Sequence, residues 1–211
     1  MSDLLIPDGK RGLIAILRGI KPEEVVDIGF ALVEAGIEII EVPLNSPAAF
    51  ESISRLIKAL PADMMVGAGT VLNPQDVNRL ADCGGRIVVS PNVDQAVIGQ
   101  TRLRGMLSLP GVFTATEAFQ AIAAGASGLK FFPAAMMGVS GINALRAVLP
   151  PDMPLGAVGG IEAGQFGDYL NAGIHFFGLG SNLYKPGDNA RQVSDRTTHL
   201  VRAWDAVKNN K

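Results

Sequence analysis

Eight times along this chain, a short and continuously apolar run gives way to a stretch whose apolar residues recur at helical spacing. Leu13-Ile14-Ala15-Ile16-Leu17 opens the series. Residues 22–35 follow, with Val25, Val26, Ile28, Ala31, Leu32 and Val33 on the helical repeat, Pro22 at a first-turn position and Gly36 as the stop. The same pattern predicts strands over 38–42, 64–68, 86–89, 105–109, 127–131, 155–158 and 175–178. It predicts helices over 47–60, 74–81, 93–102, 116–124, 140–149, 162–171 and 190–208. Runs that are apolar throughout, rather than alternating, mark strands covered on both faces, as in parallel sheets. Strict alternation with no long linker predicts an α/β fold, a closed (β/α)8 TIM barrel, with residues 1–211 as one domain. A doubly wound sheet would have the same content. The turn after the first strand, Leu17-Arg18-Gly19-Ile20, lacks the glycine pattern that such a sheet uses to hold a dinucleotide.

With 48% hydrophobic residues among 211, one large core can be buried. A net charge of −2 with dispersed basic residues gives no footprint for nucleic acid or an anionic membrane. Small molecules and further copies of the chain remain as partners. The single cysteine, Cys83, cannot close an internal disulfide, and Met1-Ser2-Asp3 lacks the basic and apolar segments of a signal peptide. No apolar run approaches the roughly 20 residues of a membrane helix, so a cytoplasmic location is expected.

In such a barrel the chemistry lies at the carboxyl ends of the strands. Gly128-Leu129-Lys130-Phe131-Phe132-Pro133 places an amine inside an apolar strand. Burial disfavours the ammonium, and a neutral amine attacks carbonyls to form a Schiff base. The plainer alternative is a strand-end lysine reaching for solvent or a carboxylate. Glu41 lies late in the second strand and Glu38, three residues earlier, must face the other way. A carboxyl group at the same end as the lysine could move the protons of Schiff-base chemistry, or could form a structural ion pair with Lys130 or Arg18. Arg18 ends the first strand with a planar fork suited to carboxylate or phosphate. Thr70 closes Gly67-Ala68-Gly69-Thr70, a run small enough for a ligand to approach the backbone or for elements to pack tightly.

Val158-Gly159-Gly160-Ile161 and Gly178-Leu179-Gly180-Ser181 follow the last two strands, each leading toward a helical segment. Backbone N–H groups there favour an anion, and loops seven and eight hold phosphate in many barrels. Gly159, Gly160, Gly180 and Ser181 are therefore candidate phosphate ligands. His175, His199 and Cys83 lie on separate elements and make no zinc-like cluster, so neither metal nor cofactor is expected. Trp204, Met136 and Met137 are read as packing residues.

Taken in order, Glu41-Val42-Pro43-Leu44, Gly67-Ala68-Gly69-Thr70-Val71-Leu72, Leu129-Lys130-Phe131-Phe132-Pro133, Gly159-Gly160-Ile161 and Gly180-Ser181 resemble the 2-keto-3-deoxy-6-phosphogluconate aldolase family. The resemblance runs from about residue 13 to 204. It implies a class I aldolase with Lys130 as Schiff-base lysine, Glu41 as general acid/base, Thr70 at the pyruvate-derived end, and Gly159, Gly160, Gly180 and Ser181 around the phosphate. It also implies a homotrimer, with a phosphorylated keto sugar acid and pyruvate as partners. Asn45 stands where gluconate-specific members carry arginine. With Leu17-Arg18-Gly19 and Leu44-Asn45-Ser46-Pro47, this resembles the branch acting on the C4-epimeric galactonate, in which Arg18 takes over an anion-binding role. A phosphosugar isomerase or epimerase, with Glu41 as base, and a non-catalytic phosphosugar sensor are the alternatives on the same barrel.

Overall fold

The computed structural model describes residues 11–208; the Met1-Ser2-Asp3 lead lies outside the described residues. Among the described residues there are nine strand segments: β1 (Leu13–Ile16), β2 (Ile39–Pro43), β3 (Met65–Gly69), β4 (Ile87–Val89), β5 (Leu107–Leu109), β6 (Gly111–Val112), β7 (Leu129–Phe131), β8 (Leu155–Val158) and β9 (Phe176–Leu179). All neighbours are parallel, in the order β5-β4-β3-β2-β1-β9-β8-β7-β6. The two outermost segments are consecutive in the chain. They are halves of the fifth stave, parted at Pro110, which has no N–H to give to a ladder. The first half pairs with β4 and the second with β7. The carbonyl of Pro110 still accepts from Lys130 N at 3.0 Å, and that of Ser108 from Ser127 N at 2.9 Å. The sheet thus closes on itself except for a notch at Pro110, and the eight expected strands become nine segments on eight staves.

The helices are α1 (Val25–Glu34), α2 (Ala49–Ala59), α3 (Pro74–Asp82), α4 (Gln95–Leu103), α5 (Ala115–Ala124), α6 (Ala134–Arg146), α7 (Phe166–Asn171) and α8 (Ala190–Lys208). Their starts follow from local chemistry. Asn73 caps α3 ahead of Pro74, Asp94 accepts from Ala96 N and Val97 N, and Thr114 and Glu117 form a reciprocal capping box on α5. Two helices depart from expectation. α6 begins at Ala134 rather than near 140, because Gly138 (φ 66°) bends it and hides its first turn from the periodicity. The predicted 162–171 helix is a 3₁₀ turn, Ala163–Gln165, joined to α7.

Alternating strand residues build two cores. Outward residues pack against the helices; Phe177 stacks on Phe166 at 4.5 Å and meets the edge of Trp204 at 5.9 Å. Inward residues Ile14, Ile39, Met65, Ile87, Val89, Leu109 and Phe176 fill the barrel. Trp204 is a packing residue, but Met136 is 78% exposed and is not: it falls in the bent first part of α6, where the helix turns a side chain outward.

Candidate active site

The inward stripe changes character toward the carboxyl ends of the strands. Ile39 is followed two residues later by Glu41, which lies beside Ile16 of β1 and Gly67 of β3. Glu41 is 2% exposed and Lys130, on β7, is 6% exposed. Glu38 lies instead near the opposite rim, where it accepts a hydrogen bond from Arg11 N at 3.0 Å.

Room for these two side chains comes from missing ones. A Cβ on Gly69 would lie 2.0 Å from Glu41 Oε2 and 2.5 Å from Oε1, so the carboxylate occupies the space of the absent side chain. That use of Gly69 differs from the ligand approach expected of the glycine run. Lys130 is flanked in register by Gly111 and Gly156. A Cβ on Gly156 would lie 2.0 Å from the Phe176 ring, so that ring packs into the slot beside the lysine. On the other side Lys130 Nζ sits 4.9 Å from the centroid of the Phe132 ring.

Burial sets the electrostatics. Desolvation raises the Glu41 carboxyl to about 7, against the opposing pull of Lys130 and Arg18. It lowers the Lys130 amine to about 8; Glu41 opposes that shift and Arg18 reinforces it. Among the described residues Glu41 Oε2 is buried with no hydrogen-bond partner, so Lys130 makes no hydrogen bond to that oxygen. The lowered pKa makes a larger share of this amine neutral near pH 7 than of an ordinary lysine.

Arg18 reaches across to the second and third staves. Its Nη1 donates to Asn45 Oδ1 at 2.6 Å, and both Nη1 and Nη2 lie 3.4 Å from Thr70 Oγ1. Thr70 has φ 54°, a left-handed conformation that is rare for a β-branched residue.

Arg18, Gly159, Gly160, Gly180 and Ser181 line one cavity of about 490 Å³, together with Ile16, Phe132 and Gly178. Lys130, Glu41 and Thr70 are not on its wall. They adjoin it: Phe132 lies against Lys130, Ile16 beside Glu41, and Arg18 against Thr70. Gly159 (φ 93°) and Gly160 (φ 77°) take conformations that favour glycine, which turns their backbone toward the cavity rim before the 3₁₀ turn. The second loop differs from expectation. Gly180 has no positive φ, and its carbonyl accepts from Leu183 N and Tyr184 N in a single turn; α8 begins only at Ala190.

Several lining residues escaped sequence reasoning. Asn182 Nδ2 donates to Ile161 O at 2.9 Å and ties the two glycine loops together. Tyr184, Lys185 and Glu162 also line the cavity, and Tyr184 Oη donates to Glu24 Oε1 at 2.9 Å. Only the position of Asn182, immediately after Gly180-Ser181, could have drawn attention to it. His175 is structural: its Nδ1 accepts from Leu155 N at 3.1 Å, and burial lowers its pKa. Among the described residues no three His, Cys, Asp or Glu side chains gather as a metal site.

Comparison with known proteins gives concordant matches. The family model for KDPG and KHG aldolases matches residues 9–197. A probable 2-dehydro-3-deoxy-6-phosphogalactonate aldolase from Rhizobium meliloti (strain 1021) is 55% identical over 207 residues, 98% of each chain. The 2-dehydro-3-deoxy-6-phosphogalactonate aldolase of Escherichia coli (strain K12) is 42% identical over 195 residues, 92% of this chain and 95% of that one. A solved structure described as native KDPGal superposes with a TM-score of 0.94 at 40% identity, covering 97% of this chain and 100% of the other.

Proposed function

Because this chain belongs to the KDPG and KHG aldolase family, we propose that its barrel mouth cleaves 2-dehydro-3-deoxy-6-phosphogalactonate reversibly to pyruvate and D-glyceraldehyde 3-phosphate. The enzyme is a carbon–carbon lyase. One observation carries the assignment of roles: a buried amine with a lowered pKa lies near a buried carboxyl group with a raised one, beside a cavity that has a cation and glycine loops on its wall.

Neutral Lys130 attacks the C2 ketone, and loss of water gives an iminium that accepts electrons from the bond to be broken. Glu41, ionised above about 7, takes the proton of the C4 hydroxyl directly or through a water. The C3–C4 bond breaks and its electron pair flows into the iminium, leaving an enamine and releasing the aldehyde. Protonation at C3 by the now neutral Glu41, then addition of water, returns pyruvate and the free amine. Arg18 and Thr70 take the carboxylate end. Gly159, Gly160, Gly180 and Ser181 take the phosphate, and holding both ends places the scissile bond between amine and carboxyl.

The whole chain acts as one barrel unit in the cytoplasm, where a phosphorylated acid that cannot cross a membrane unaided would be met. It assembles as a homotrimer, which would cover such exposed apolar residues as Leu103 and Phe119; light scattering at working concentration checks the count.

Reduction with borohydride in the presence of pyruvate tests the core of the proposal. A pyruvyl adduct on Lys130 is expected. Its absence, or an adduct on another lysine, overturns the Schiff-base route. Rates on the two purified C4 epimers should favour the galactonate form; a preference for the gluconate form would overturn the substrate assignment while leaving the mechanism.

A further inference from the structure

Arg18 is an exposed side chain, yet it is held. Among the described residues both of its hydrogen-bond partners, Asn45 and Thr70, are neutral, so neither cancels the charge that it orients. The residue after Asn45 grips the same loop by its backbone: buried Ser46 Oγ accepts from Gly19 N at 2.9 Å, and Ser46 N donates to Pro43 O at 2.9 Å. Asn45 and Ser46 therefore fix both the backbone after Arg18 and the direction of its guanidinium. That direction is toward Thr70 at the end of β3, whereas the glycine loops follow β8 and β9 on the other side of β1. Arg18 thus spans from the cavity wall it shares with the glycine loops to Thr70 on the other side of the first stave.

Resting on the aldolase reading above, we propose that Asn45 is a positioning residue that aims Arg18 at the substrate carboxylate, and that its neutrality keeps the guanidinium free for that anion. An unanchored arginine loses much rotamer freedom when it binds, and anchoring it beforehand removes that cost from the binding step. A carboxylate at position 45 would compete directly with the substrate. The placement of Arg18 also reaches the chemistry. Glu41 faces Lys130 from β7 and Arg18 from the loop after β1, while Lys130 faces Glu41 from β2 and Arg18; the cation lowers the pKa of both.

The test compares wild type with Asn45→Asp, a change of charge without a change of shape, and with Asn45→Ala. The readout is the half-saturating concentration of 2-oxo compound for the borohydride-trapped Lys130 adduct. For pyruvate, Asn45→Asp should raise it about tenfold or more, the scale of a lost charge-assisted hydrogen bond, and Asn45→Ala should raise it about threefold. For uncharged methyl pyruvate both variants should stay within about twofold of wild type. Neutralising Arg18 should also move the rising limb of the Asn45→Asp pH–rate profile to higher pH, since Glu41 and Lys130 both act deprotonated and one cation holds both down. An equal rise for pyruvate and its ester, or no rise for pyruvate, overturns the proposal; if Asn45→Asp fails to fold, Asn45→Ala decides by the same ratio. Should wild type trap nothing on Lys130, the Schiff-base reading falls by itself. Calorimetric binding of pyruvate and methyl pyruvate to wild type and Asn45→Ala then judges the positioning role: loss of affinity for the acid alone supports it, and equal losses or none overturn it.

Discussion

Along the inward stripe of the barrel, two residues separate hydrocarbon from ionisable chemistry. Ile39 gives way to Glu41 on β2, and Ile14 gives way through Ile16 to Arg18 after β1. The amino-terminal region is filled with buried aliphatic and aromatic side chains, each contributing about 1.5 to 3 kcal/mol on burial. The carboxyl-terminal region buries Glu41 and Lys130 at a cost, and the cost is the source of their altered pKa values. Stability and reactivity are thus divided along the barrel axis, on the same strands.

The largest effect should come from Lys130→Met. Turnover should fall on the order of 10⁴-fold or more, because the variant loses the buried amine, with its lowered pKa, that forms the iminium. Stability should not fall with it. The native amine, at about 8, lies below an unfolded lysine at 10.5, so the unfolded chain binds more protons between those values. Wild-type stability should therefore rise as pH climbs from about 8 toward 10.5, and Lys130→Met should lack that rise and be at least as stable at pH 7. A variant both inactive and strongly destabilised would break the division.

Gly69→Ala should come next. Its methyl group would lie 2.0 Å from Glu41 Oε2, so the carboxyl group must move. A displacement on the order of an ångström costs about 100-fold in rate. Pyruvate trapping should persist on Lys130, since the amine is untouched. Trapping lost together with turnover would show that Gly69 supports more than the carboxyl group.

The hydrocarbon region was the more legible of the two. Continuous apolar runs marked every stave, and residues 155–158 and 190–208 match at both ends. The runs could not show that Pro110 splits the fifth stave, nor that Gly138 hides the start of α6. In the polar region Lys130 and Glu41 stood out because a charge inside an apolar run is conspicuous. Asn182 and Tyr184 did not, since their partners lie 21 and 160 residues away and nothing local distinguishes them; Asn45 was marked by the family resemblance, but its hold on Arg18, 27 residues away, was not visible. Gly69 was visible as a glycine, but what fills its missing side chain comes from a neighbouring strand.

Ile39→Val sharpens the comparison from the other side. It removes one methylene from the apolar region, should cost about 0.5 to 1.5 kcal/mol in chemical denaturation, and should leave the pH–rate profile in place. A shifted profile would show that the regions are not separable at this position.

Phe176 is where separation should fail. It belongs to the apolar cluster, yet its ring fills the inward slot of Gly156, the register partner of Lys130. Shortening it by Phe176→Leu should cost stability by leaving a void, and should also let water closer to the amine. Since desolvation is the largest cause of the lowered lysine pKa, its partial relief moves that pKa up toward 10.5. The pH at which pyruvate trapping is half-maximal should therefore rise by a fraction of a unit, the smallest effect predicted here. A loss of stability with the trapping profile unmoved would mean that Phe132 and the strand backbone alone keep the lysine dry. The apolar region would then support the chemistry only by keeping the barrel folded.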